Sequence, residues 1–141
     1  MPRSAKKLAR LHRVRTLQLD QVRAEEVRAN ARFEQEAQLR ARIASLADNV
    51  APVASGEGFA ATMIAAAHYR ERLHQSAQAA TRRVEVAEQG LESARAATRE
   101  ARRDQSAIEK LIVREQAESA LKILRALETL PPSGRNRHDI C

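Results

Sequence analysis

The chain has 141 residues, enough for one domain, and it combines 43% hydrophobic residues with only 2% aromatic ones. Much of the apolar content is alanine, so a thick globular core would be hard to fill, and long helices or a coiled coil are favoured instead. The net charge of +7 and the isoelectric point near 10.7 favour acidic partners, whether nucleic acid, an anionic membrane surface or an acidic protein face.

Compartment is indicated by what the chain lacks. Its single cysteine, Cys141, excludes an intramolecular disulfide and fits a reducing cytosol. The sequence contains no run of about 18 apolar residues, so no membrane-spanning helix is predicted. The N-terminus shows no apolar core of a secretory signal, and its basic, acid-free periodicity continues past residue 19, unlike a mitochondrial presequence. We therefore expect a cytoplasmic protein.

Helix-breaking residues cluster at 51–58 and at 131–141. They predict helix 1 from about Arg3 to Asn49, a turn over residues 50–58, and helix 2 from about Phe59 to Leu130. Residues 1–130 would thus form a single helical hairpin, followed by a disordered tail over 131–141. Gly90 lies inside helix 2, where it costs about 1 kcal/mol relative to alanine but does not end the helix.

Helix 2 carries a heptad repeat, which is typical of a coiled-coil seam. Its positions are Met63, Ala66, Arg70, Leu73, Ala77, Ala80, Val84, Ala87, Leu91, Ala94, Thr98, Ala101, Gln105, Ile108 and Ile112. Helix 1 has a less regular stripe, interrupted at Glu26 and Arg40. That stripe comprises Leu19, Val22, Ala29, Phe33, Ala37, Ile43, Ala47 and Val50.

A short turn between two long helices predicts an all-α fold, an antiparallel coiled-coil hairpin. Centring the turn between residues 54 and 55 pairs positions whose numbers add up to about 109. Phe33 then faces Ser76 and Ala77, and large residues meet small ones, as close packing requires.

In this register helix 2 extends past the start of helix 1 by about 25 residues, or roughly 37 Å. So much unpartnered apolar surface predicts binding to another chain, although overhangs of two copies could also pair with each other. The overhang contains Ile108, Leu111, Ile112, Val113, Leu121, Ile123, Leu124, Leu127 and Leu130.

Basic residues form a collar beside the overhang. The register sets the cations of residues 3–15 against Arg95, Arg99, Arg102 and Arg103, and such repulsion costs stability unless an anionic surface lies there. Alternatively, the collar is a solvated face whose charges are screened by water and salt.

No catalytic or metal-binding pattern is present in the sequence. His12, His68, His74 and His138 show no i, i+4 spacing with each other and have no cysteine partners, so neither a metal nor another cofactor is expected. A two-helix hairpin also lacks a concave pocket that would exclude water around a reacting group. We expect no enzyme activity.

Two segments carry a family resemblance. "LHRVRTLQLDQVRAEEVRANARFEQEAQL", followed after a turn by "HYRERLHQSAQAATRRVEVAEQGLESARAATREARRDQSAIEKLIVREQAESAL", resembles the flagellar FliJ family and its YscO-type secretion relatives. The resemblance covers nearly the whole helical region. The departures are few aromatic residues near the turn, namely Phe59 and Tyr69, and a tail ending in "RHDIC" that matches no pattern of the family.

The resemblance implies a non-enzymatic component of the flagellar type III export apparatus, cytoplasmic and peripheral at the inner face of the cell membrane. Its partners would be the export ATPase hexamer, whose ring it would enter as a stalk and activate, the export gate membrane protein, and export chaperones. The implied ATPase-binding residues are Arg10, Arg13, Arg99, Arg102, Ile108, Leu111, Ile112, Leu121 and Leu124. The implied gate-binding residues are Tyr69, Leu73, Ser76 and Ala80.

Two other classes remain open. The charge alone supports a basic coiled-coil protein that binds nucleic acid, although helix 2 interleaves glutamate with arginine and offers no aromatic platforms for stacking. The apolar overhang also fits a self-assembling structural rod.

Overall fold

A computed structural model describes residues 3–50 and 58–132 of the chain. Helix α1 runs over Arg3–Asp48 and helix α2 over Phe59–Glu128, and the described residues include no strand. The helices pack against each other. Ser4 contacts Glu115 and Thr16 contacts Gln105, so residue numbers rise along α1 as they fall along α2, and the two helices are antiparallel. The prediction of an all-α antiparallel hairpin is confirmed. The predicted turn and tail fall mostly outside the described residues.

Local chemistry accounts for where α2 begins and ends. Gly58 precedes the helix with φ of +107°, a backbone conformation open to glycine, and its carbonyl accepts hydrogen bonds from the amide and the hydroxyl of Thr62. At the other end, the amide of Thr129 still donates to the carbonyl of Arg125. Two prolines follow at 131 and 132, where they deny the helix its next amide donors.

The chain divides into two compact units. The terminal unit combines residues 1–16 with residues 103–141, and the loop unit comprises residues 17–102. Every fully buried described residue belongs to the loop unit: Leu19, Leu73, Ala80, Val84, Ala87, Leu91 and Thr98. In the terminal unit the two helices bury side chains only partly, as at Leu8 and Ile112. Tight packing is therefore a property of the loop unit.

The buried residues of α2 follow the predicted heptad positions, and Leu19 begins the predicted stripe of α1. Two predicted positions differ, since Met63 and Arg70 are exposed. Thr98 is the one buried polar residue among those described, and its hydroxyl donates to the carbonyl of Ala94. Its polarity is therefore satisfied within the helix.

The predicted register is wrong. In the terminal unit, Ser4 bonds to Glu115, Arg15 Nη1 lies 2.9 Å from Asp104 Oδ2, and Thr16 Oγ1 lies 3.0 Å from Gln105 Nε2. The numbers of two residues that contact each other across the helices add up to about 120, whereas the predicted register gives about 109. This difference shifts one helix along the other by roughly 16 Å.

The loop unit shows the same offset. A cleft there brings Ala29, Arg32 and Glu36 beside Ala87 and Gly90. Phe33, between Arg32 and Glu36 in α1, is thus level with Ala87 instead of Ser76 and Ala77.

The error has a physical reason. The apolar positions of each helix repeat every 3.5 residues. If one helix slides along the other by about 10.5 residues, which is three repeats, the apolar positions of the two helices face each other again. Apolar periodicity therefore does not distinguish the two registers. Charge distinguishes the two registers, because the observed register sets Arg15 against Asp104 and His12 against Glu109. The assumption that failed was a tight turn placed symmetrically between the helices.

The shift shortens the predicted overhang. In the observed register Arg3, the first described residue of α1, is level with about residue 117 of α2. Only the last turns of α2, from about residue 118 to Glu128, extend past it, a length of roughly 16 Å. Residues 108–113 lie alongside α1, so the placement of Ile108, Leu111, Ile112 and Val113 in an overhang was wrong.

Candidate partner-binding surfaces

The predicted ATPase-binding aliphatic residues divide into two sets. Ile108 and Ile112 are half-buried, and Ile112 lines a small cleft with Ala5, Leu8 and Ala9 of α1. Both isoleucines pack within the chain. The second set, Leu111, Leu121 and Leu124, is exposed, with Leu124 at 55%.

Exposed apolar residues at the end of α2 form an ordered stripe. They follow one another in steps of four and three, and we call them the outer stripe: Val113, Ala117, Ala120, Leu124 and Leu127. It is rotated by roughly a third of a turn from the seam that contains Ile112. Apolar residues at heptad spacing on an exposed face are the pattern against which a second helix packs in a coiled coil. Leu121 lies at its edge, and Leu111 points to a different side.

The predicted repulsive collar is wrong, because the observed register pairs cations of α1 with acids of α2. Arg15 contacts Asp104, and His12 Nε2 lies 3.2 Å from Glu109 Oε1. Arg10 and Arg13 are exposed in the terminal unit and make no ion pair with a described residue.

Arg99 and Arg102 belong to the loop unit and are exposed there. Like Arg10 and Arg13, they form no ion pair within the described part of the chain. All four arginines are therefore solvated cations in this structure.

The predicted gate-binding set also divides. Leu73 and Ala80 are buried in the seam of the loop unit, so their role in this structure is packing, and gate contact by either residue stays a prediction. Tyr69 is 50% exposed and Ser76 is exposed too. These two residues lie seven positions apart, about two helical turns, and therefore share one side of α2.

A groove in the loop unit escaped the sequence reasoning. One cleft of about 390 Å³ and another of about 360 Å³ share Ala29, Arg32 and Gly90. We call their combined surface the arginine-walled groove. The sequence held one signal for it, a glycine inside a long helix, but only the pairing of the helices shows which α1 residues complete the groove.

The described residues contain no cluster of three or more His, Cys, Asp or Glu side chains that could hold a metal ion. Neither α1 nor α2, over its described length, is long and apolar enough to cross a membrane.

Comparisons with known proteins give no match for this chain among protein-family models, curated proteins or solved structures.

Proposed function

We propose that this chain is a non-enzymatic component of a flagellar-type protein export apparatus, in which the terminal unit inserts into the ring of the export ATPase and promotes its activity. The resemblance of its helical segments to the FliJ family supports this proposal. So does the hairpin, whose helix α2 continues beyond α1 and ends in exposed leucines.

The outer stripe is the observation that carries the proposal. Val113, Leu124 and Leu127 are each more than half exposed. Full burial of such a side chain contributes about 1.5–3 kcal/mol, so a partner covering all three would gain several kcal/mol before the entropic cost of association. A helix of the ATPase ring that packs along α2 at heptad spacing would provide this burial.

Charge and the remaining exposed surface support proposals for the other partners. Arg10 and Arg13 would steer the terminal unit toward an acidic ring, an effect on the association rate that salt screens. Tyr69 and Ser76 would contact the export gate, whose position at the membrane would hold the chain peripherally at its inner face. Export chaperones complete the proposed partners.

The test is charge insertion on the outer stripe. Leu124→Asp with Leu127→Asp should abolish stimulation of the purified export ATPase, because a buried unpaired charge costs several kcal/mol. The variant should keep its helical content and melting temperature, since both leucines are more than half exposed. Ala126→Asp is the control for added charge, because it places one carboxylate in the same exposed segment on a side of α2 away from the outer stripe.

The alternatives give different outcomes. If the double variant still stimulates the ATPase, the stalk proposal is refuted. Sedimentation that shows a dimer lost only in the double variant would favour the self-assembling rod. Binding of a duplex oligonucleotide, with no effect on the ATPase, would favour the nucleic-acid protein.

A further inference from the structure

The arginine-walled groove has an apolar floor and basic walls. Its floor contains Ala29, Val86, Ala87 and Gly90, and the floor continues to Ala97. The part formed by α2 runs from Arg82 to Ala97, about 22 Å at 1.5 Å per residue, which matches four turns of a helix.

Three arginines on the walls have guanidinium groups without a partner in the part of the chain that the structure describes. The side chains of Arg32, Arg82 and Arg83 make no hydrogen bond or ion pair with any described residue. Each guanidinium presents five N–H donors in a planar fork that suits a carboxylate. Three such groups along one apolar cleft complement a partner that carries acids beside an apolar face.

Gly90 contributes an independent observation. It lies in the middle of α2, where glycine costs about 1 kcal/mol relative to alanine. A β-carbon built on Gly90 would meet nothing within 4 Å, so the described chain itself gives no reason for a glycine there. The open space above Gly90 leaves room for a side chain from outside.

Glu36 adds a polar requirement to the groove. Its Oε2 atom is buried and has no hydrogen-bond partner among the described residues. A buried carboxylate oxygen without a donor is costly, so Glu36 is a polar group of the groove lining that the described packing leaves unsatisfied.

We propose that the arginine-walled groove binds an amphipathic α-helix of another protein, apolar on one face and acidic along both edges, to complete a three-helix bundle. Carboxylates of that helix pair with Arg32, Arg82 and Arg83, while one of its apolar side chains fills the space above Gly90. The groove belongs to the loop unit, so this proposal is independent of the terminal unit and of the ATPase.

A second copy of the chain is a poor occupant. Helix α1 carries 11 basic and 6 acidic residues, and α2 carries 12 basic and 10 acidic ones, so neither is an acidic helix. Nucleic acid also fits poorly, because the groove lining contains no aromatic side chain on which bases could stack.

The test uses a synthetic helical peptide of about 16 residues, four turns, with leucine and alanine on one face and glutamate along both edges. Binding is measured by fluorescence anisotropy, and the site is located by amide chemical shifts. Peptides with lysine in place of glutamate, and a single-stranded oligonucleotide of similar length, are the competing ligands. We expect micromolar binding of the acidic peptide alone, with the largest shifts at Val86, Ala87 and Gly90.

Two variants address the two parts of the groove. Arg82→Glu and Gly90→Leu should each weaken peptide binding at least about tenfold, because one reverses a wall charge and the other fills the open space. Arg72→Glu is the matched control, since Arg72 is also an exposed arginine of α2 in the loop unit, but it does not line the groove.

Gly90→Leu also separates binding from folding. The side chain enters open space and leucine favours helix, so this variant should melt at the same temperature as the parent or higher. If Arg72→Glu weakened peptide binding as much as Arg82→Glu does, the interaction would be non-specific charge attraction, and the proposal would be overturned. Absence of peptide binding, or groove shifts produced by the oligonucleotide instead, would overturn it as well.

Discussion

Leu19 is the most demanding test of the observed packing. It is only 2% exposed, and it lies on α1, which packs against α2. Leu19→Ala removes three carbons, worth about 0.8 kcal/mol each, or about 2.4 kcal/mol in total, and any cavity that does not collapse adds to this. We expect the free energy of unfolding to fall by about 2–4 kcal/mol and the melting temperature by about 10 °C.

Leu17 supplies the control for this experiment. It is 63% exposed and lies two residues from Leu19 in the same helix, so Leu17→Ala makes the same chemical change at a solvated position. Urea unfolding followed by circular dichroism at 222 nm should place Leu17→Ala within about 0.5 kcal/mol of the parent. Equal costs for the two variants, or a cost below about 1 kcal/mol for Leu19→Ala, would refute this packing.

Four further outcomes are expected. Cysteines placed at Thr16 and Gln105, after the native cysteine is replaced by serine, should react intramolecularly with a short bifunctional crosslinker, and failure to crosslink would contradict the register. Gly90→Ala should raise the free energy of unfolding by about 0.5–1 kcal/mol, because the added methyl group enters open space, and a loss would contradict that geometry. Asp104→Asn should lower it by about 0.2–1 kcal/mol, an effect reduced in 1 M salt because the pair is partly exposed. Tyr69→Ala should weaken binding to the export gate protein in a pull-down and leave helicity unchanged, and full gate binding would count against that surface.

The sequence predicted the elements and the seams accurately because these depend on local chemistry. Alanine, arginine, glutamate and leucine favour helix, and the breakers at 51–58 and 131–132 placed the helix ends within two residues of those observed. The heptad repeat of α2 also identified Leu73, Val84 and Leu91 as core, since periodicity alone determines which side of a helix is apolar.

The site was predicted only in part. Leu124 was correctly predicted to be exposed apolar surface. Ile112 was wrongly placed in the overhang, because its burial depends on where α1 begins alongside it. Leu73 and Ala80 were predicted to contact a partner although their own seam positions indicated burial. The groove at Gly90 was missed, since half of its lining comes from the other helix.

By itself, the sequence determined two helices, their apolar faces and their charge. Only the tertiary structure decided how far one helix slides along the other. The seam repeats every 3.5 residues, so registers about 10.5 residues apart bury similar apolar surface. The choice between them depends on side-chain pairs such as Arg15 with Asp104, which neither helix defines alone. Because of the observed register, the overhang of α2 is shorter than predicted, and Ala29 lies beside Gly90.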